Sequence, residues 1–433
     1  MEGKSSDSLG KHQCLETRLI EMLQNVEPPE MYDPTMQCIY RVPKGIRENN
    51  PKAYTPLAVS IGPFHKTRDI GEEDDIFEST EELKIRYFKG FLNRTQLSVR
   101  DFVITLKTLE EKIRSCYAAP IKYNSDDFLQ MILVDAFFII EHFLRCHRHS
   151  DWERKDPLLL QPGMLDEIVH DLILLENQLP FFVLEQLYNL TGMDKQFPSF
   201  LEICFNYFRI FTFATVCPIT RPKHFTDLLR SSLLSSSKLD VRTPNEFKEV
   251  RHVYSASQLS EAGIKFKVDP NKGLLDLSYA DDGMFTMPIL NIGDDTEMMF
   301  RNIMAFQHCH LQGTDIITQY LKIVDFLIDT ERDVNVLVNK KIIVNLMGDA
   351  TAVATMINSL GSNLTMPDFN SHYFSICNSL NEFYENPRNK YKAIFIHEYF
   401  NTPWKIASTI AATVLLFLTF VQTVCSIVSL FHD

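Results

Sequence analysis

Apolar residues recur at helical spacing through most of the first 230 positions of the chain. Residues 14–26 put Leu15, Leu19, Leu23 and Val26 on one face, ahead of Pro28-Pro29. Ser79 and Glu82 have the spacing of a capping box, and Leu83, Tyr87, Phe88, Phe91 and Leu92 supply the face that follows. A second helix starts at Ser98 with Phe102, Leu106, Leu109 and Ile113, and a third starts at Ser125. The period predicts a fourth over 166–188, kinked or broken at Pro180, and a fifth, very aromatic, over 200–213. Two short apolar runs, 39–42 and 58–61, are bounded by prolines and predict strands.

After a Ser-rich stretch the period changes. Residues 264–268 alternate, and the runs 274–279 and 284–290 flank Asp281-Asp282-Gly283, a hairpin signal. Helical spacing then returns over 294–310, 316–327, 351–360 and 371–399. The pattern predicts a mainly α chain with a small antiparallel β portion (α+β). It divides into an N-terminal tail with a short helix (1–37) and a body (38–400). The body is helical to about 230, has a linker at 231–245, and is β-containing and helical over 246–400.

The most uniform stretch closes the chain. Residues 406–431, from Ile406 to Phe431, carry no charge and one strongly polar side chain, Gln422. A membrane-crossing helix needs about 20 such residues. Asn401-Thr402 can cap it, Pro403 suits the first helical position, and Trp404 and Lys405 suit the headgroup layer. The reading is a single transmembrane anchor over 404–431 with the lipid bilayer as its partner. Arg388, Lys390, Lys392 and Lys405 precede it, and His432 and Asp433 follow, so the positive-inside tendency turns the body to the cytoplasm. The absence of an apolar leader after Met1 agrees and predicts tail-anchored insertion. Sequons at Asn93, Asn189 and Asn363 point the other way, but such triplets also arise by chance.

Composition narrows the rest. The chain has 433 residues, 45% hydrophobic and 23% charged, which places it among globular proteins. A net charge of −13 and the absence of a Lys/Arg-rich run argue against nucleic-acid binding. Nine dispersed cysteines without a CxxC pair predict reduced, buried thiols. Phosphate-binding glycine loops and a nucleophile elbow are absent, and His397-Glu398 lacks the second histidine of a zinc helix. His142, Cys146, His147 and His149, like His308-Cys309-His310, make incomplete ligand sets, so no metal, cofactor or catalytic group is assigned.

Polar residues inside apolar runs are more informative. Asp135 and Glu141 bracket Ala-Phe-Phe-Ile-Ile, and Asp171 and Glu176-Asn177-Gln178 bracket Leu-Ile-Leu-Leu. A buried carboxylate must be paired or protonated. Arg41, Arg47, His65, Lys84 and Arg86 are partners within the N-terminal block. The expected candidate network is Arg41, Arg47, His65, Asp135, Glu141, Asp171, Glu176, Asn177 and Gln178, with a structural role. A hydrolase-like enzyme would instead leave the carboxylates and His65 open to a pocket. A scaffold would expose a large patch elsewhere.

These stretches resemble one plant-specific family, domain of unknown function 247. Ile39 to Pro43, Tyr54 to His65 and Lys84 to Tyr87 are similar to its opening block, and Asp171 to Phe182 to its most recognisable segment. Ser255 to Phe266, Phe300 to His310 and Phe400 to Trp404 are similar to later blocks, in order. Val134-Asp-Ala-Phe departs from a Gly-Cys pair frequent in the family. The resemblance implies no agreed activity. Roles of some grass members in self-incompatibility imply recognition at a membrane, through a protein partner that is not identified.

Overall fold

The helix Ser125–His147 is buried around its whole circumference from Phe128 to Arg145, with Gln130 the exception. A helix that is apolar on every side can only sit inside other elements. Its start is fixed by Asn124, whose side chain accepts from the Asp127 amide. The helices Asp75–Arg94, Val99–Ser115, Phe181–Leu190 and Phe200–Tyr207 pack around it. The abundant phenylalanines meet here. Phe137 stacks with Phe88 and Phe91 at 4.8 and 4.7 Å between centroids, and Phe102 meets it edge-on at 4.7 Å.

These coordinates come from a computed structural model that describes residues 36–66, 75–148, 156–212, 220–237, 249–310, 315–361, 369–400 and 402–430, with 17, 20 and 217. The expected helix at 14–26 lies outside them apart from residues 17 and 20. The chain is mainly helical, as the apolar period predicts, with two small sheets. In the first, β2 (Ser278–Ala280) and β3 (Met284–Met287) form the antiparallel hairpin, and β1 (Lys265–Val268) joins β3 in parallel. Gly283 turns with φ +80°, and a Cβ there would lie 2.9 Å from the Phe383 ring, so the position suits only glycine. In the second, β4 (Leu290–Ile292) pairs in parallel with β5 (Ile343–Asn345), a three-residue strand without a sequence signal. The first sheet is therefore mixed and the second parallel.

Several boundaries differ from the expectation, each for a local reason. The first long helix begins at Asp75, so Ser79 lies inside it and does not cap it. The expected strand at 39–42 is reduced to one parallel bridge between Ile39 and Tyr117, and 58–61 is not a strand at all. The expected helix over 166–188 stops at Asp171 and resumes at Phe181. The Ser-rich linker starts later than expected, because the helix Phe225–Ser235 runs through Ser231 and Ser232. Both are buried, and the Ser232 hydroxyl donates to the Leu228 carbonyl at 2.7 Å. Residues 238–245 lie outside the described ones. The last helix of the body divides into Ser371–Glu385 and Pro387–Tyr399, since Pro387 cannot continue the ladder.

One hydrophobic core runs from Cys38 to Leu380 and takes side chains from both sides of the Ser-rich segment. A satellite of Val42, Ile46, Ala53, Tyr54, Leu175, Ala305 and Phe306 seats the N-terminal block on the helix Asp294–His310. The last helix, Pro403–Leu430, is different. Its 28 residues reach about 42 Å at ~1.5 Å per residue, and its most apolar stretch is wholly unburied. It is long and apolar enough to cross a membrane.

Phe137 tests the aromatic centre. It is fully buried, and Phe137→Ala should cost about 3–5 kcal/mol and lower the thermal midpoint of the purified chain by several degrees. An unchanged midpoint would mean that this cluster does not hold the helices.

Candidate functional site

The segment between Asp171 and Phe181 stays non-helical because its own side chains capture its carbonyls. Asn177 Nδ2 donates to the Asp171 carbonyl at 3.0 Å, and Gln178 Nε2 donates to the Leu172 and Leu174 carbonyls at 2.7 and 2.8 Å. The orphan acceptors at the end of the Pro162–Asp171 helix are thereby satisfied without further helix. Gln178 Oε1 also accepts from the Phe225 amide at 2.9 Å, and Asn302 Oδ1 accepts from the Leu175 amide at 2.9 Å.

Against this segment lies the irregular strip 57–62, which bends at Leu57, Ala58 and Gly62 and is buried from Ala58 to Gly62. Among the described residues its backbone has no partner strand. Asp171 Oδ1 accepts from the Leu57 amide at 2.8 Å, and Oδ2 accepts from Ala58 and Val59, both at 2.7 Å. Asn177 Oδ1 accepts from Ile61 at 2.7 Å, and Asp135 accepts from Gly62 at 2.8 Å. The carbonyls are met as well. Ala58 accepts from Thr80 at 2.7 Å, Val59 from Asn177 at 2.9 Å, and Ser60 from Lys84. A carbonyl or amide left bare in such a place would cost about 1–3 kcal/mol, so the side chains do the work of a neighbouring strand. At Gly62 (φ +70°) a Cβ would come within 2.8 Å of the Gln178 carbonyl oxygen, so the strip could not approach so closely with another residue.

Most of the other ionic groups extend the same seam. Lys84 and Asp135, both without exposed surface, pair at 2.7 Å, and Glu81 adds a second carboxylate at 2.6 Å from Lys84. Burial pushes the Asp135 carboxyl up, and the Lys84 ammonium pulls it back. Glu141 is held by Arg94 and Arg145, each at 2.8 Å, and Arg145 continues to Asp156 at 2.6 Å. The Tyr87 hydroxyl donates to Asp156 at 3.0 Å, and the Arg145 guanidinium lies 4.4 Å from the centre of the Tyr87 ring. Glu176 accepts from the Val42 amide at 2.6 Å and pairs with Arg47 at 2.5 Å, with Arg41 at 3.9 Å. His65 Nε2 is 3.5 Å from Glu176. Burial and the two neighbouring guanidinium groups push His65 down to about 4, so it is neutral at pH 7.

Eight of the nine expected residues gather around 57–62 and 171–178, and Glu141 stands apart in a cluster with Arg94, Arg145 and Asp156. Arg86 is exposed, and Arg47, Lys84 and His65 occupy the places nearest the carboxylates. Sequence reasoning missed Arg94, Arg145, Asp156, Thr80 and Asn302. Arg145 alone had a local signal, four residues after Glu141 on one helix. Chemically, the arrangement sequesters its carboxylates. Asp135 and Glu141 are 0% exposed, Asp171 1% and Glu176 3%. Burial raises Asp171 to about 6, against the pull of three amide donors.

The two histidine clusters have other employment. His142 is buried, stacks on Phe138 and bonds the Tyr207 hydroxyl at 2.9 Å, while burial lowers it to about 3. His310 Nδ1 meets the Tyr40 hydroxyl at 2.8 Å, and its ring stacks on Phe306. Among the described residues no group of three or more His, Cys, Asp and Glu side chains could hold a metal ion. His149 lies outside them.

The fold and seam define a mainly helical body on which an N-terminal strip is seated through buried side chains. The chain belongs to the plant protein family of unknown function, domain of unknown function 247, whose family model matches residues 39–418. The chain is similar to the Arabidopsis thaliana UPF0481 protein At3g47200, 29% identical over 433 aligned residues that cover 92% of this chain and 87% of that one. It is also similar to the putative UPF0481 protein At3g02645 of the same plant, 23% identical with 96% of each chain covered. No solved structure matches.

Two measurements probe the seam. Asp171→Ala strands three amides, two of them buried, and should cost about 3–5 kcal/mol, read as a fall in the unfolding midpoint. Asp171→Asn keeps an acceptor oxygen and should cost less. The second concerns His170, which pairs with Asp295 at 2.5 Å; that hydrogen bond raises its pKa above the usual ~6.5. Its stabilising effect is complete below about pH 6.5 and is lost as pH rises through the raised value. His170→Gln should therefore lower the midpoint more at pH 6 than at pH 9. An equal effect at both would remove the ion pair from the account.

Proposed function

We propose that the chain is a membrane-anchored recognition or signalling protein without catalysis, held on the bilayer by the Pro403–Leu430 helix with its body in the cytoplasm. The observation that carries this is the contrast between a body built on a large buried apolar core and a helix whose apolar side chains from Ile410 to Ile427 are all exposed. Leu415, Leu416, Phe417, Leu418 and Phe420 are each at least 60% exposed, an arrangement that water disfavours and lipid accepts. Trp404, 85% exposed, stands where an interfacial aromatic belongs. Arg388, Lys390, Lys392 and Lys405 before the helix favour a cytoplasmic body. The non-catalytic reading is supported by the paired, sealed carboxylates, since a general acid or base must reach its substrate.

The test is alkaline extraction and protease protection on sealed plant microsomes carrying a tagged body. The tagged chain should stay with the membrane after carbonate, and its body should be digested without detergent. Removal of 403–430 should release it. Extraction by carbonate would contradict the anchor. A protected body glycosylated at Asn93, Asn189 or Asn363 would contradict the orientation.

A further inference from the structure

Cys38 and Cys116 sit on two backbone segments that run side by side. The amides of Cys38 and Ile39 both donate to the Cys116 carbonyl at 2.9 Å, and the Ala118 amide donates to the Ile39 carbonyl at 2.9 Å. Ile39 and Tyr117 are parallel partners, which makes Cys38 and Cys116 the preceding pair in register. Paired backbones lie roughly 4.8 Å apart, within the ~4.4–6.8 Å between Cα atoms that a disulfide spans. Partners in register point to the same face, which brings the two thiols close enough to influence each other's ionisation. Both are buried and reduced.

The two sulfurs are not equivalent. Cys116 Sγ donates to the Lys112 carbonyl at 3.2 Å. The Cys38 thiol and the positive charges of Lys112 and Lys223 lower the Cys116 pKa, against burial. The same interaction, with burial, raises Cys38. Cys116 is therefore the nucleophile of the pair.

We propose that Cys38 and Cys116 are a reversible oxidation site, in which hydrogen peroxide converts two neighbouring thiols into a disulfide that fastens the N-terminal strip to the end of the Val99–Ser115 helix. The Cys116 thiolate attacks one peroxide oxygen, the O–O bond breaks, and the departing hydroxide takes up the proton that Cys116 lost, leaving water and a Cys116 sulfenic acid. The Cys38 sulfur then attacks the Cys116 sulfur. The S–S bond forms, the S–O bond breaks, and the Cys38 proton leaves with the hydroxide as a second water. A dithiol reductant reverses the reaction. The bridge would hold the segment that carries Tyr40, Arg41 and Val42, and hence the groups around Glu176.

The full-length chain, purified reduced in detergent, would be treated with hydrogen peroxide and unfolded in iodoacetamide. It would then be mapped by non-reducing peptide mass spectrometry. The expected product is a cross-linked peptide joining Cys38 to Cys116, with the other cysteines alkylated. The oxidised chain should unfold a few degrees higher, and dithiothreitol should remove that gain. In Cys38→Ser, dimedone should label Cys116, and Cys146→Ser should still form the bridge. Alkylation of both Cys38 and Cys116 in the peroxide-treated wild type would overturn the proposal, and so would a bridge from either to another cysteine. Because the first readout is taken on the wild-type chain, it stands even where a serine variant fails to fold.

Discussion

The structure depends on burying a bent backbone strip, 57–62, that has no strand beside it among the described residues. The amides of Leu57, Ala58, Val59, Ile61 and Gly62 point at side chains, and Asp171, Asn177 and Asp135 supply the acceptors. Such an irregular segment can enter an α-helical body only if acceptors of this kind are in place. That requirement explains the interrupted helix at Asp171. The residues that would have continued the helix are needed as backbone mimics, and Asn177 and Gln178 hold the break open by bonding its carbonyls.

The charges follow from the same demand. Asp171 is met by three backbone amides, and the other buried carboxylates each bring a cation, because an unpaired charge there would cost several kcal/mol. Lys84 answers Asp135, Arg94 and Arg145 answer Glu141, and Arg47 answers Glu176. Such pairs add little net stability over apolar packing, but each fixes which segment meets which. The ion pairs specify where the N-terminal block docks, and the phenylalanine core around Phe137 supplies the bulk of the cohesion.

Much of this was legible in the amino-acid pattern. The apolar period gives the helices, Asp281-Asp282-Gly283 gives the hairpin, and the uncharged run after Lys405 gives the last helix. Asp135, Glu141, Asp171 and Glu176 stood out because carboxylates are rare inside apolar runs. Other features were hidden for identifiable reasons. Leu-Leu-Glu-Asn-Gln-Leu has a helical period, and only the long-range contact with 57–62 decides that its polar side chains turn to backbone instead. The run 39–42 makes one bridge and 58–61 bends at Ala58 without joining a sheet, because a sequence does not say whether an apolar run is partnered by a strand or by side chains. Arg94 and Asp156 lie in polar surroundings, so nothing local marks them as partners of buried groups.

The central claim is that Asp171 and Asp135 serve as backbone acceptors for the strip and not as reacting groups. Hydrogen exchange of the amides from Leu57 to Gly62, read by mass spectrometry on the full-length chain and on Asp171→Ala, tests it most directly. In the wild type, Ala58, Val59, Ile61 and Gly62 should exchange as slowly as the core of the Ser125–His147 helix. In the variant, Ala58 and Val59 should speed up while Gly62, held by Asp135, stays slow. Fast exchange across the strip in the wild type would contradict the account.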